Sequence, residues 1–405
     1  MGTAAQTAVS PGALNGVRVV EMGQLIAGPF AGKMLGEFGA DVIKIEPPGS
    51  GDPLRGWRLI KDGTSGGWQV QSRNKRSIAL DLRIAEGQEI ARRLIKDADV
   101  LIENFRPGTL EQWGMSYEQL AATNPGLVML RISGYGQTGP YRDLPGFGAI
   151  GEAMGGLRHL TGEPGRVPVR CGVSIGDTLA ALHGTIGVLV ALWHRNVNGG
   201  RGQVIDVALT EATFNVMESM LPEYSVFGVV REAAGSALPG IAPSNAYRCA
   251  DGFVLIAGNG DSIFKRLMEA IGRKDLATDE NLAGNAGRVA RVAEIDGAIE
   301  AWTRTRTVAG ILDALGKARV PAGKVYTAKD IDEDPHFRAR EMILRQVARE
   351  GYELDAPGVV PKLLGTPGTV RTSAPRLGED TDAVLREFGY SSADIAALRE
   401  RKIVA

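Results

Sequence analysis

The chain has 405 residues, a length that favours two domains. Its 46 basic and 47 acidic residues leave a net charge of −1, which gives no electrostatic reason to expect a nucleic acid or a membrane surface as partner. The two cysteines, Cys171 and Cys249, form neither a disulfide framework nor a zinc motif, and the 4 histidines lack metal-ligand spacing, so we expect no metal site.

The first part of the chain alternates between β-rich and helical patterns. Residues 1–13 are small and polar, which predicts a disordered lead-in instead of a signal peptide and makes the cytoplasm the expected location. Beyond them, the patterns predict strands at 17–22, 41–46, 77–82, 100–103 and 127–132, and helices at 28–39, 86–96 and 110–121. This alternation predicts an α/β domain in which helices cover a Rossmann-like parallel sheet.

A long apolar stretch, residues 175–193, follows this region. It is long enough to span a membrane, but Asp177 stands near its start, His183 lies inside it and three glycines interrupt it, so we predict a buried core helix. A strand at 203–209, a helix at 211–229 and a Gly- and Pro-containing loop at 232–245 come next. Asp251 and Gly252 then indicate a hairpin, and helices are predicted at 262–272 and 292–315.

These patterns predict three divisions beyond the lead-in. Residues 14–229 form the first part of a large domain, and residues 230–330 form a smaller α/β domain. Residues 331–405 return to pack on the large domain.

Several common enzyme motifs do not occur in the sequence. The first strand–helix turn holds Gly28, Pro29 and Gly32 in place of G-x-G-x-x-G, so Glu46 alone is weak support for a nicotinamide site. There is no P-loop, which disfavours an ATP-driven ligase of that type, and no G-x-S-x-G elbow, which leaves a serine thioesterase unsupported.

Asp177 lies in the segment Gly172-Val-Ser-Ile-Gly-Asp177, at the start of the long apolar helix. Read locally, Ser174 and Asp177 are more typical of a helix-capping pair than of a catalytic site. The same position also favours an ionised carboxylate, by about 0.3–1 kcal/mol from the helix dipole. A carboxylate on a rigid helix can act as a covalent nucleophile, and the two interpretations are compatible.

Basic residues follow two of the predicted strands, in Arg73-Asn-Lys-Arg76 with Arg83, and in Asn104-Phe-Arg-Pro-Gly108. Charged residues at strand ends are more often a solvated face. At the carboxyl ends of parallel strands, however, they also suit the phosphates of a nucleotide-like ligand. The Phe105 ring can stack on an adenine or simply pack against its neighbours.

An ordered series of segments resembles the class III CoA-transferase family, also called the CaiB/BaiF family. The series extends from about residue 14 to the C-terminus, and its specificity lies in the order of the whole set. It includes Ala27-Gly-Pro29, Leu35-Gly-Glu-Phe-Gly-Ala-Asp-Val-Ile-Lys-Ile-Glu46, Asn74-Lys-Arg-Ser77, Leu80-Asp-Leu82, Asp99-Val-Leu-Ile-Glu-Asn-Phe-Arg-Pro-Gly108, Gly134-Tyr-Gly-Gln137, Gly176-Asp177, Gly200-Arg-Gly-Gln203 and Ala374-Pro-Arg-Leu-Gly-Glu379.

The resemblance implies a large domain built from both chain ends, a smaller domain, and a homodimer of two interlocked rings. It implies that Asp177 attacks an acyl-CoA, giving an aspartyl mixed anhydride and then an aspartyl-CoA thioester. It also implies a set of CoA-binding residues, namely Ala27, Leu80, Asp81, Leu82, Arg83, Asn104, Phe105 and Arg106.

Departures from the family pattern narrow the substrate. Formyl/oxalate members carry a Gln at the position of Ile26, basic residues at Pro47, Gln112 and Pro145, and a Tyr at the position of Phe147, so oxalate specificity is not expected. The α-methylacyl-CoA racemases of the family pair their aspartate with a histidine. That histidine would fall at Phe147, whose ring exchanges no proton, and this favours a transferase.

We therefore predict a CoA-transferase with no metal or tightly bound cofactor, in which CoA and acyl-CoA are substrates. Family frequency favours succinyl-CoA as donor and, among small carboxylic acids, a dicarboxylic acid as acceptor. The candidate pocket residues are Gln24, Ile26, Phe147 and Gly240, the last in the 235–245 loop. The alternatives are a 2-methylacyl-CoA racemase and a non-catalytic acyl-CoA-binding subunit.

Overall fold

A computed structural model of the protein describes residues 12–405. The described chain divides into two compact units, which we call the large unit and the small unit. The large unit comprises the described residues up to Leu157, together with Cys171–Ser219 and Arg338–Ala405. The small unit comprises Arg158–Arg170 and Met220–Phe337.

The elements of the first half of the chain alternate between strand and helix. In chain order they are β1 (Arg18–Glu21), α1 (Ala27–Glu37), β2 (Asp41–Glu46), β3 (Ile60–Lys61), β4 (Thr64–Ser65), α2 (Gly66–Gln71), β5 (Lys75–Ala79), α3 (Ala85–Lys96), β6 (Val100–Glu103), α4 (Thr109–Gln112), α5 (Tyr117–Ala121), β7 (Val128–Ser133), α6 (Gly148–Met154), α7 (Leu157–Leu160), α8 (Ile175–Val197) and β8 (Val204–Ala208).

The second half is richer in helix. Its elements are α9 (Leu209–Asn215), α10 (Met220–Phe227), β9 (Ser244–Arg248), β10 (Phe253–Ala257), α11 (Asp261–Ala270), α12 (Lys274–Ala277), α13 (Asn285–Ala290), α14 (Val292–Thr303), α15 (Val308–Lys317), β11 (Ala322–Lys324), α16 (Ala328–Glu333), α17 (Pro335–Ala339), β12 (Ile343–Val347), β13 (Glu353–Pro357), α18 (Thr381–Glu387) and α19 (Ser392–Glu400).

A six-stranded parallel sheet forms the centre of the large unit, in the order β5-β2-β1-β6-β7-β8. Its central strands are buried, as expected when helices cover both faces of a parallel sheet. From β1 the chain adds β2 and then β5 on one side of the sheet, and from β6 it adds β7 and then β8 on the other side. Ligands of such sheets bind where the order of strand addition reverses, which here is at the carboxyl ends of β1 and β6.

Helix α8 packs one face on this sheet through small residues. A Cβ atom on Gly184 would lie 2.9 Å from the side chain of Leu130 in β7, and one on Gly187 would lie 2.8 Å from that of Ile205 in β8. Among the described residues, α8 is the helix that is long and apolar enough to cross a membrane by length and composition. Its contacts are those of a core helix, but only one face is buried: Ile186 and Trp193 are 60% and 71% exposed.

The C-terminal segment completes the large unit. The backbone N–H of Asp81 donates to Ile403 O at 2.9 Å, and Leu80 and Val404 form an antiparallel bridge. Val384 of α18 and Ile395 of α19 belong to the same apolar core as the residues of β2 and β5. Both ends of the described chain therefore build one unit.

The small unit contains the antiparallel sheet β11-β10-β9 and a helical core of its own. The β9–β10 hairpin turns at Asp251 and Gly252, as the sequence predicts, with Phe253 paired to Arg248. The Cys249 side chain is buried in this core.

The structure differs from the predicted elements mainly by dividing helices. The pattern at 110–121 forms α4 and α5, which are separated at Gly114 with φ +65°. The pattern at 211–229 is divided at Glu218, which has φ 52°. The pattern at 292–315 forms α14 and α15, because Thr307 caps a new helix by accepting from Gly310 N.

The unit boundaries also differ in detail from the predicted domains. The small unit begins at Met220 instead of residue 230, ends at Phe337 instead of 330, and includes Arg158–Arg170. Residues 1–11 of the predicted lead-in lie outside the described residues.

Candidate active site

Two neighbouring cavities open at the carboxyl ends of the parallel strands in the large unit. We call them cavity A, of about 200 Å³, and cavity B, of about 280 Å³. Gln24, which follows β1, and Phe105, which follows β6, line both. The two cavities therefore meet at the reversal point of the sheet, where ligands of this fold bind.

Cavity A contains the predicted nucleophile together with several of the predicted CoA-binding and pocket residues. Those present in its wall are Gln24, Ala27, Asn104, Phe105, Arg106, Phe147 and Asp177.

Cavity B contains the other predicted CoA-binding residues. Those present in its wall are Leu80, Asp81, Leu82, Arg83 and again Phe105, joined by Trp113.

Asp177 reaches cavity A from the first turn of α8 and is partly buried. In the described part of the chain, the Ser174 side chain makes no hydrogen bond that caps the helix. The positive end of the 23-residue helix stabilises a carboxylate at this position by about 0.3–1 kcal/mol. The location suits an ionised nucleophile.

Two glycines allow the starts of α6 and α8 to approach each other at Asp177. A Cβ atom on Gly176 would lie 2.9 Å from Gly148 O, and one on Gly148 would lie 2.6 Å from Cγ of Asp177. Behind them, the buried Glu152 accepts a long hydrogen bond of 3.5 Å from Gly176 N. Because Gly148 and Gly176 carry no side chain, the Asp177 carboxylate has room to lie in the wall of cavity A.

Asn104 holds the segment that joins β1 to α1. Its Oδ1 accepts from Gln24 N at 2.8 Å, and its Nδ2 donates to Gln24 O at 2.9 Å. Gly23 and Gly28 pack against each other beside this amide, where a Cβ atom on either would lie 2.9 Å from the Cα atom of the other. Asn104 therefore connects the β1 and β6 sides of the site.

Glu103, the last residue of β6, positions the backbone of Phe105. Its Oε2 accepts from Phe105 N at 2.8 Å, and its Oε1 accepts from Arg131 Nε at 2.7 Å. Burial raises the pKa of Glu103 to about 7, although the Arg131 guanidinium opposes this. Arg131 also binds Glu111 at 2.6 Å, and that hydrogen bond holds the pKa of Glu111 below its usual range.

Arg83 and Asp81 form a bidentate pair at the edge of cavity B. Arg83 Nε and Nη2 donate to the two Asp81 oxygens at 2.8 and 2.6 Å, which lowers the pKa of the Asp81 carboxyl. The Arg83 side chain is 79% exposed, so its cation remains accessible to an incoming anion.

Glu46 does not match the ribose-binding acid considered from the sequence. Its carboxylate is buried and accepts from Arg55 Nε at 2.8 Å, Ser77 Oγ at 2.6 Å and Asp52 N at 2.9 Å. Burial alone would raise the pKa of Glu46, but Arg55 and Lys44 hold it below its usual range. The Glu46 carboxylate is therefore engaged by neighbouring groups of the protein itself.

The remaining predicted pocket residues are placed differently from one another. Phe147, which precedes α6, is 69% exposed and lines cavity A with Asp177. Ile26 is absent from the lining of both cavities among the described residues, and packs instead against the Leu54–Trp68 cluster. Gly240 is an exposed residue of the small unit, with φ +74°.

Sequence reasoning missed Arg142 and Trp113. Arg142 lines cavity A from the loop between Gly134 and Gly146, whose ends pack so closely that a Cβ atom on Gly146 would lie 2.9 Å from the Gly134 Cα atom. Trp113 lies edge-to-face on Phe105, with ring centroids 5.2 Å apart. Neither follows a predicted strand directly, so no pattern in the sequence marked them.

The comparisons with known proteins identify the family. A family model described as CoA-transferase family III matches residues 14–381. The chain is 47% identical over 397 residues to succinyl-CoA–D-citramalate CoA-transferase of Chloroflexus aurantiacus, covering 97% of this chain and 98% of the relative. It is 42% identical over 396 residues to the alpha subunit of succinyl-CoA–L-malate CoA-transferase of the same organism, covering 96% of this chain and 92% of the relative.

A solved structure shows the same fold. The crystal structure of a CaiB/BaiF family protein from Brucella suis matches with a TM-score of 0.83 and 36% identity, covering 93% of this chain and 99% of that chain. The protein therefore belongs to CoA-transferase family III, and it is an enzyme that uses CoA thioesters as substrates.

Proposed function

We propose that this enzyme transfers CoA from succinyl-CoA to a small dicarboxylic acid, with Asp177 as the covalent nucleophile. The observation that carries the proposal is the presence of the Asp177 carboxylate in the same cavity wall as Ala27, Asn104 and Arg106. Cavity B offers Arg83 as a partner for the phosphates of CoA. The pantetheine arm would then pass Gln24 and Phe105 to present its thioester to Asp177.

The chemistry needs no water and no net proton. An Asp177 oxygen attacks the thioester carbonyl, the C–S bond breaks, and a mixed anhydride and the CoA thiolate form. The thiolate attacks the aspartyl carbonyl and releases the donor acid, which leaves an aspartyl-CoA thioester. The acceptor carboxylate attacks that carbonyl and expels the thiolate, which then attacks the acceptor acyl carbon and regenerates the Asp177 carboxylate.

The charge of cavity A supports a dicarboxylic substrate. It has two guanidinium groups in its wall, those of Arg106 and Arg142. Arg106 matches a CoA-binding position of the family, which leaves Arg142 for the distal carboxylate of a succinyl-like group. The names of the citramalate and malate relatives, both succinyl-CoA enzymes, support the same donor.

Phe147 argues against a racemase. It lines cavity A beside Asp177, where a second acid–base group would be required to exchange a proton on the opposite face of an α-carbon. We expect no solvent deuterium at the α-carbon of a 2-methylacyl-CoA incubated with the enzyme in deuterated water. Incorporation of deuterium at the α-carbon, without transfer of CoA to free acids, would refute the transferase proposal.

Mass spectrometry tests the nucleophile directly. After incubation with succinyl-CoA, the peptide that contains Asp177 should carry the mass of CoA less one water. Asp177→Asn should abolish the adduct and lower transfer by on the order of a thousandfold or more. Asp382→Asn, at another first-turn acid that lines neither cavity, is the matched control and should leave both unchanged. Normal transfer by Asp177→Asn would refute the mechanism.

We also propose a homodimer in the cytoplasm. The outward face of α8 exposes Ile186, Val190 and Trp193 to 60%, 61% and 71%, an apolar surface typical of a protein interface. Within residues 12–405, Cys171 and Cys249 are free thiols, which suits a reducing compartment. Light scattering of the purified protein should give twice the chain mass, and Trp193→Asp should weaken the dimer.

A further inference from the structure

A buried cluster of charged side chains lies beneath the segment that joins β1 to α1. Its four members are Glu21, Lys44, Asp52 and Lys75, each at most 1% exposed. Lys44 Nζ lies 2.9 Å from Glu21 Oε1 and 2.9 Å from Asp52 Oδ2, and Lys75 Nζ lies 2.7 Å from Glu21 Oε2. The charges balance, and the proposed mechanism uses none of them.

The cluster also binds the backbone on both sides of Gln24. Lys44 Nζ donates to Gly23 O at 2.7 Å, and Asp52 Oδ1 accepts from Leu25 N at 3.0 Å. Asn104, directly after β6, binds both the N–H and the C=O of Gln24. The two peptide groups between residues 23 and 25 are therefore both held by side chains, from β2, from the loop after β2 and from the residue after β6. Gln24, like Phe105, lines both cavities.

This segment has a backbone conformation that needs such support. Leu25 has φ 62°, in the left-handed region that a branched side chain disfavours. Buried ion pairs add little stability compared with apolar residues of similar size, because desolvation offsets the attraction between the charges. Beyond any effect on stability, the cluster fixes the backbone conformation of residues 23–25.

We infer that Lys44 and Asp52 are positioning residues of the acyl-CoA site, which fix residues 23–25 so that Gln24 forms the wall shared by cavities A and B. The inference rests on the proposed function. It assigns to the buried cluster a role in binding acyl-CoA, a role that other buried ion pairs of the large unit do not have.

A second buried ion pair provides the control. Arg73 Nε donates to Glu37 Oε1 at 2.7 Å, with both side chains at most 3% exposed, at the far end of α1. Neither residue lines cavity A or cavity B among the described residues. A purely structural role for buried pairs predicts the same result at both places.

The test compares two charge-balanced double variants, Lys44→Met/Asp52→Asn and Glu37→Gln/Arg73→Met, by thermal unfolding, by transfer kinetics and by calorimetric binding of succinyl-CoA. We expect both to lower Tm. Only the first should raise KM and Kd for succinyl-CoA by about tenfold or more, with a smaller effect on kcat, since a misplaced wall residue weakens binding of the ligand. Equal effects of the two on KM, or an unchanged Kd in the first, would overturn the inference.

The single variant Asp52→Asn decides the question if the double variant fails to fold. It keeps an acceptor oxygen for Leu25 N but removes the charge that faces Lys44, and it should raise KM by about threefold. A folded Asp52→Asn enzyme with the wild-type KM would overturn the inference. Wild-type enzyme that binds no succinyl-CoA would overturn the proposed function as well, whereas wild-type binding with an unaffected variant would refute the positioning role alone.

Discussion

Gly148 lies against the carboxylate of Asp177: a Cβ atom at residue 148 would come within 2.6 Å of Asp177 Cγ and closer still to Oδ2. The backbone of α6 thus contacts the carboxylate that we propose as the nucleophile. The atoms that a Cβ atom at residue 148 would overlap belong to the end of the Asp177 side chain. The carboxylate can therefore rotate away without any shift of the backbone.

Gly148→Ala should therefore reduce transfer without a matching loss of stability. We expect kcat to fall by about tenfold or more, because the carboxylate leaves its attacking position. Gly297→Ala is the control, since nothing lies within 4 Å of a Cβ atom there and the site is inside α14. It should leave kcat unchanged and raise stability by about 0.5–1 kcal/mol. Full activity of Gly148→Ala would contradict the placement of Asp177.

Arg142 should determine preference for dicarboxylic acids. Arg142→Gln removes a charge-assisted hydrogen bond to the distal carboxylate, so KM for succinyl-CoA should rise by about ten- to a hundredfold. KM for an acyl-CoA without a distal carboxylate should change little. Arg345→Gln, at an exposed arginine that lines neither cavity, is the matched control. Equal losses with both kinds of acyl-CoA would show that Arg142 acts on CoA itself.

Trp113 should contribute to CoA binding through Phe105. The edge-to-face pair spans 5.2 Å in the wall of cavity B, and such pairs contribute about 0.5–1.5 kcal/mol. Trp113→Ala should weaken CoA binding by about two- to tenfold, measured by calorimetry, while Trp113→Phe should restore most of it. If the alanine variant binds CoA normally, the ring pair has no part in the nucleotide site.

Glu103 should make stability depend on pH between about 4.5 and 7. Its pKa is raised from 4.5 to about 7 in the folded protein, so the folded state holds this proton more tightly than the unfolded state. The stabilisation is complete below pH 4.5 and is lost as pH rises through 7. At about 1.4 kcal/mol per pKa unit, the total is about 3 kcal/mol.

Denaturant titrations of wild type and Glu103→Gln at several pH values measure this effect. The stability of wild type relative to Glu103→Gln should fall from pH 4.5 to 7 and stay constant above. Glu111→Gln is the control, because the lowered pKa of Glu111 predicts the opposite sign, with stability lost as pH falls. A flat difference for Glu103→Gln would mean that residue 103 titrates normally in the folded protein.

Much of the large unit was determined by local sequence. Strands β2 and β6 occupy the predicted residues 41–46 and 100–103, because both short runs contain Val and Ile, whose branched side chains favour strands. Their order along the chain then implies that Gln24, Leu80 and Asn104, each just after a strand, lie on one edge of the sheet. Family III membership was also contained in the sequence, in the order of its segments, and the prediction that Asp177 is a nucleophile rests on that resemblance.

Other features were decided only by the tertiary structure. Glu21, Lys44, Asp52 and Lys75 are separated by up to 54 positions, and no local pattern connects them. Three of them meet because β1, β2 and β5 are adjacent in the sheet, and the loop after β2 brings Asp52 to Lys44. Arg142 enters cavity A because a glycine pair closes its loop. Side-chain periodicity indicates which face of an element is buried, but it does not indicate which distant element covers that face. The candidate site is built from contacts between elements that are distant in sequence, and only the tertiary structure decides those contacts.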